Sequence, residues 1–157
     1  MCYNRAMTQY NRHAVVSIDE VIRAVINQWV NLDPGKAKMS TGHRIGVTSL
    51  RMKTFGRAAI LGNMCCVGCG LEPKFFSIES FARGKEQPPH ANMYGQIDGK
   101  DILFTHDHIL ARSLGGADNL KNSQVMCSPC NSKKSIGEGK LRQLIIRKSA
   151  KKQPVTA

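Results

Sequence analysis

Residues 101–136 read DILFTHDHILARSLGGADNLKNSQVMCSPCNSKKSI. The turn signal Asp98-Gly99-Lys100 precedes them and predicts a hairpin whose second strand runs from Asp101 toward His108. Gly115-Gly116 and the asparagines that follow mark a loop, Ser123–Met126 reads as a short strand, and Cys130-Asn131-Ser132-Lys133-Lys134 opens a helix. The order is strand, loop, strand, helix, which makes this stretch the organising unit of an α+β fold. In a regular strand, His106 and His108 share one face and Asp107 points to the other.

The same stretch ends on a C-x-x-C pair, Cys127 and Cys130, and a second pair, Cys66 and Cys69, lies far upstream. Two such knuckles supply the thiolates of a closed, tetrahedral structural zinc site. Gly68 and Gly70 fit the tight turn of the first knuckle. Cys65 could replace Cys66 through a C-x-x-x-C spacing, although the shorter spacing is favoured, and Cys2 is expected to be free. The long gap between the pairs means that one ion would clip two distant segments together. That matters for a chain of 157 residues with 41% hydrophobic and only 6% aromatic residues, whose core is lean.

Around this unit the patterns are simpler. Residues 1–16 show no periodicity and are expected to be loose. Ser17 and Glu20 form a capping box, and Val21, Ile22, Val25, Ile26, Trp29 and Val30 follow at helical spacing, with Pro34 and Gly35 as the stop. Residues 35–46 read as a basic, glycine-rich connection. A second helix is expected over 48–61, with Leu50, Phe55, Ala58, Ile60 and Leu61 as apolar positions and Gly62-Asn63 as its end. The segment after Gly70 is expected to be irregular, with turn signals at 82–92. The helix opened by Cys130 is expected to break near Gly137 and Gly139 before a last amphipathic helix over 140–149. His43 and His90 read as isolated surface residues. These readings divide the chain into an N-terminal helical extension (1–48), a central zinc-bearing unit (49–139) and a basic C-terminal helix and tail (140–157).

Charge points to the partner. The formal net charge is +12, and no acid lies between Asp33 and Glu72 or after Glu138. Lysines and arginines cluster in those windows, which suits a polyanion, first of all nucleic acid. The N-terminus lacks the apolar region of a secretory signal, and no run approaches membrane-spanning length, so an intracellular, cytoplasmic location is expected. In a reducing compartment cysteines serve as metal ligands more often than as disulfides.

Asp107-His108, Gly115-Gly116, Asn122 and Cys127-x-x-Cys130-Asn131-x-x-Lys134 together resemble the HNH endonucleases of the ββα-metal (His-Me finger) fold. The upstream Cys66–Cys69 knuckle, preceded by a basic helix, is similar to that of zinc-bearing HNH proteins of phages and mobile elements. The resemblance covers roughly residues 55–136 and implies a metal-dependent DNA endonuclease that hydrolyses phosphodiester bonds by nicking or double-strand cleavage. It implies that His108 is the general base, that Asp107 and Asn131 hold a catalytic Mg²⁺ or Mn²⁺, and that Asn122 braces the loop and orients His108. Lys134 would face the phosphate, with Arg112 and Lys133 as further substrate contacts. It further implies a strand that bends at its end, bringing Asp107 and His108 to one metal. Where the family usually has proline after the base histidine, this chain has Ala111. His106 is either a polar strand residue or an extra contact to metal or substrate. A monomer with no small-molecule cofactor is the simplest expectation. The alternatives are a zinc-dependent DNA-binding module without catalysis and a branched-DNA nuclease on the same fold.

Overall fold

The computed structural model of the protein describes residues 10–31, 35–82 and 88–150, with the side chains of 149 and 150 excepted. The expectations for Cys2, Pro34 and the turn signals within 83–87 lie outside the described residues.

A five-stranded antiparallel sheet carries the fold. Its strands are β1 (Tyr10–Val16), β4 (Phe75–Phe81), β5 (His90–Ile97), β6 (Lys100–His108) and β7 (Ser123–Cys127), in the order β1-β4-β5-β6-β7. Two short strands, β2 (Lys36–Lys38) and β3 (Arg44–Gly46), form a separate ribbon. The helices are α1 (Ile18–Asn31), α2 (Leu50–Ile60) and α3 (Ser128–Ala150).

The β5–β6 hairpin turns at Asp98 and Gly99, both with positive φ (48° and 72°), the backbone that a two-residue hairpin loop requires. The helix starts behave as their sequences indicate. The Ser17 hydroxyl accepts from the Glu20 amide at 3.2 Å, and the Ser49 hydroxyl accepts from Met52 at 3.3 Å. At the end of α2, Gly62 adopts φ 65° and the Asn63 amide donates to the Ala58 carbonyl.

Val21, Ile22 and Val25 of α1 and Met52, Phe55 and Ala58 of α2 pack with Phe76, Ile78, Met93, Phe104 and Val125 of the sheet into one core. Phe55 and Phe76 meet edge to face, with centroids 6.0 Å apart. Val30, Ile60 and Leu61, expected on the apolar faces, are exposed, because each lies on the solvent side of its helix.

Several expectations need correction. Residues 10–16 are an edge strand. Their short alternation is weak as a signal, and what docks them is Arg12, whose guanidinium lies 2.9 Å from Asp101, 3.5 Å from Glu79 and 5.2 Å from the ring centres of Phe75 and Tyr94. The connection at 35–46 contains the β2–β3 ribbon. The supposedly irregular segment after Gly70 contains β4. Its pattern was obscured because Ser77 and Glu79 are buried as well as Phe76 and Ile78. Glu79 is kept in the interior by the Asn92 amide (2.7 Å) and the Tyr94 hydroxyl (2.9 Å). Finally, α3 is continuous. Gly137 and Gly139 cost helix stability, about 1 kcal/mol each relative to alanine, but do not interrupt it. His90 is not isolated either: it lies against the Tyr10 and Phe81 rings, while His43 stacks on His13.

β6 is the pivot of the sheet. It pairs with β5 from Lys100 to Leu103 and with β7 from Phe104 to His108. The segment after the first cysteine pair crosses this sheet closely. A Cβ on Gly95 would stand 2.6 Å from the Glu72 carbonyl oxygen and 3.0 Å from Phe104. Gly95→Ala should therefore destabilise the fold by about 2 kcal/mol through overpacking. Thermal unfolding reads this directly; an unchanged midpoint would mean that the crossing segment yields freely.

Candidate functional site

Two clusters flank the β7–α3 junction. In the first, the sulfurs of Cys66, Cys69, Cys127 and Cys130 all lie within 4.8 Å of one another. Tetrahedral zinc with thiolate ligands sets sulfurs about 3.8 Å apart, and the Cys69 and Cys127 sulfurs are 3.7 Å apart. The donor set and spacing are thus compatible with zinc. The cluster contains Cys66 and not Cys65. Burial works against the Cys66 thiolate, but backbone N–H groups of Cys127, Gly68 and Cys69 point at its sulfur and bring its pKa down to about 7. A thiol that ionises near neutrality is ready to bind metal. Gly68 is tightly surrounded: a Cβ there would lie 3.1 Å from the Cys130 sulfur and 3.2 Å from Met126, so these neighbours would have to give way.

The second cluster lies at the end of β6. Pairing is regular through His108↔Ser123, so the strand alternates to its last residue. The expected bend is absent. His106 and His108 share a face with ring centres 5.6 Å apart, and Asp107 is on the other face. Burial first, and then the charges of His108 and Arg51, lower the His106 pKa.

On the Asp107 face α3 covers the hairpin. The Asn131 amide donates to the Thr105 hydroxyl at 2.9 Å, and the Lys134 ammonium is 3.1 Å from an Asp107 oxygen. Lys134 also donates to the His108 carbonyl at 2.7 Å and to Glu138 one turn along α3. Burial opposes its charge, but the Glu138 and Asp107 carboxylates outweigh that and raise its pKa. Asp107, 8% exposed, accepts from the Gln124 amide across the strand pair at 2.8 Å.

On the histidine side, His108 Nε2 lies 2.8 Å from Asp118, whose other oxygen is 3.6 Å from Arg112. The hydrogen bond from His108 lowers the Asp118 pKa. Asn122 braces the loop between them. Its side chain accepts from the Leu110 amide at 2.9 Å and donates to the Leu110 and Ala117 carbonyls at 2.9 and 2.8 Å. The two glycines have distinct reasons. Gly115 adopts φ 93°, and a Cβ on Gly116 would fall 1.8 Å from the Leu110 oxygen. Lys133 is exposed and makes no ion pair among the described residues.

The structure therefore brings Lys134 to Asp107 and Asn131 to Thr105 where α3 meets β6, and holds His108 at the strand end. Asp118, Gln124, Thr105 and Glu138 were not singled out from sequence. Each is identified by its partner, and only Asp118, an acid between the Gly-Gly turn and Asn122, left any local signal.

Two outcomes follow. Cys65→Ser should retain about one zinc per chain by elemental analysis, whereas Cys66→Ser should lose it and unfold at lower temperature; equal zinc content in both would sink the assignment of the cluster. Gly116→Ala should disrupt the Leu110–Asn122 contacts and lower the thermal midpoint, with protease nicking between 110 and 119; wild-type resistance would show that the loop tolerates the displacement.

Residues 96–138 match the family model described as HNH endonuclease. No curated protein and no solved structure gives a significant match to the chain. The matched segment spans the end of β5, all of β6 and β7, the braced loop and the first half of α3, with Asp107, His108, Asn122, Asn131 and Lys134 inside it. Through this segment, which is less than half of the chain, the protein is similar to the HNH endonuclease family.

Proposed function

We propose that the protein is a metal-dependent DNA endonuclease of the HNH type, with His108 as general base and Asp107 and Asn131 as ligands of a catalytic Mg²⁺ or Mn²⁺. The observation that carries this reading is the convergence of Asp107, Asn131 and Lys134 where α3 crosses the end of β6, next to a His108 whose loop is fixed by Asn122. A carboxylate and an amide oxygen are hard donors suited to these ions. The Asn131 amide nitrogen donates to Thr105, and its oxygen, the atom that would meet the ion, accepts from the Ser135 hydroxyl one turn along α3 at 3.5 Å.

The chemistry divides among these groups. With the Nε2 proton directed to Asp118, the Nδ1 lone pair of His108 takes a proton from water as the water oxygen attacks phosphorus. Asp118 stabilises the imidazolium that forms, as a carboxylate does for any orienting histidine pair. A divalent cation, when bound, supplies charge stabilisation for the crowded phosphate and the departing ester oxygen. Lys134, already within reach of Asp107 and the His108 carbonyl, neutralises phosphate charge. Arg112 and Lys133, on the exposed rim, add phosphate contacts.

Supercoiled-plasmid cleavage with Mg²⁺ or Mn²⁺ tests this. His108→Ala should lose about 10²- to 10⁴-fold in rate. Asp107→Ala should abolish the metal dependence, and His106→Ala should retain most activity. DNA retention without cleavage in the wild type would replace the nuclease by a binding module. Equal losses at 106 and 108 would make the histidine pair, and not His108 alone, the base.

A further inference from the structure

The β2–β3 ribbon lies outside the HNH segment and carries cations that the fold does not use. Lys36, Lys38 and Arg44 are all exposed, while Ala37 and Ile45 on the other face turn toward the core, Ile45 fully buried. Lys38 stands directly opposite Arg44 across the ribbon. Like charges in that position destabilise a strand pair. Among the described residues, none of the three forms an ion pair with an acid. No acid occurs in sequence between Asp33 and Glu72 to relieve them.

The ribbon is also held rigidly. The Ser40 amide and hydroxyl at its tip both donate to Glu20 of α1, at 2.6 and 2.9 Å. At its base the Gly35 amide donates to the Gln28 side chain at 3.1 Å, and the Val47 amide donates to the Gly35 carbonyl at 3.0 Å. Between ribbon and helix lies a groove of about 410 Å³, lined by Asn27, Gln28, Lys36, Lys38 and Arg44. It is a polar concavity with three cations and, among the described residues, no carboxylate on its walls.

We propose that this ribbon and groove form a second nucleic-acid contact that grips backbone phosphates of DNA away from the cleavage centre. The inference rests on DNA as the substrate of the proposed nuclease. A two-stranded ribbon is narrow enough to enter the major groove, which is about 12 Å wide. Cations preset on a rigid ribbon contact phosphates without the ordering cost that flexible side chains on a loose loop would add. The contact gives register and affinity, and its cationic side chains carry no base code of their own.

The test uses the full chain in a His108→Ala background, so that DNA stays intact while binding to a duplex is measured against salt. Lys36→Gln, Lys38→Gln and Arg44→Gln combined should weaken binding about tenfold at moderate salt. The slope of log affinity against log salt should become shallower by about 2 to 3, since each phosphate contact contributes about 0.9. The unfolding midpoint should equal or slightly exceed the parent's, since the Lys38–Arg44 repulsion is relieved, and zinc content should match. In a second measurement, which needs no ribbon substitution, Lys36 and Lys38 should be protected from acetylation when DNA is bound. An unchanged slope with unprotected lysines would overturn the ribbon contact while leaving the cleavage results standing. Absence of metal-dependent cleavage by the wild type, with slope and protection as expected, would instead remove the nuclease reading and leave a DNA-binding ribbon.

Discussion

Everything at the candidate site depends on how α3 is set against β6, and that angle is fixed at the β7–α3 junction. Cys127 ends β7 and Cys130 lies in the first turn of α3, so the strand-to-helix turn is itself one half of the cysteine cluster. The other half, Cys66 and Cys69, comes from the segment that leaves α2, and the Val67 amide donates to the Val125 carbonyl beside it. A zinc bound there would tie α2, β7 and α3 into one rigid body. Asn131 directly follows Cys130, and Lys134 is one turn further. Their reach to Thr105 and Asp107 is therefore inherited from the cysteine geometry, because the described residues of the distal helix, 139–148, are exposed.

This arrangement explains why a lean core suffices. The packed centre rests on Phe55, Phe76 and Phe104 with a few methionines and aliphatic residues. It stabilises α1, α2 and the sheet, and among the described residues it meets α3 only at Cys130. The metal-clip site lies where the core ends. Functional side chains placed at such an edge remain open to a large substrate while their backbone stays fixed, which loops alone do not provide.

The ββα unit was legible because its signals are local: the Asp98-Gly99 turn, the glycines at 115 and 116, and two cysteines spaced as a knuckle. The alternation of β6 was legible too, and it outweighed the expectation of a bend, since pairing to Ser123 keeps Asp107 and His108 on opposite faces. What could not be read were strands whose partners are distant in sequence. β1 is defined by Arg12 meeting Glu79 and Asp101. β4 hides its period because a buried carboxylate with three side-chain partners looks like a surface residue in sequence. In the candidate site, the expected identities came from the family resemblance, while Asp118 and Gln124 depended on which loop and which strand would face His108 and Asp107.

The acids account for the outward character of the molecule. Asp101 and Glu79 hold β1, Glu20 pins the ribbon tip, Asp107 and Glu138 share Lys134, and Asp118 faces His108 and Arg112. Six of the 11 acids are thus engaged in internal contacts, against 23 lysines and arginines. Their negative charge is screened by their own partners, and the field reaching a ligand comes largely from unpaired cations on the ribbon and on α3. Such a field draws a polyanion to the surface whatever its sequence. Selectivity then has to come from the geometry around His108 and Asp107, where charge is balanced and position decides.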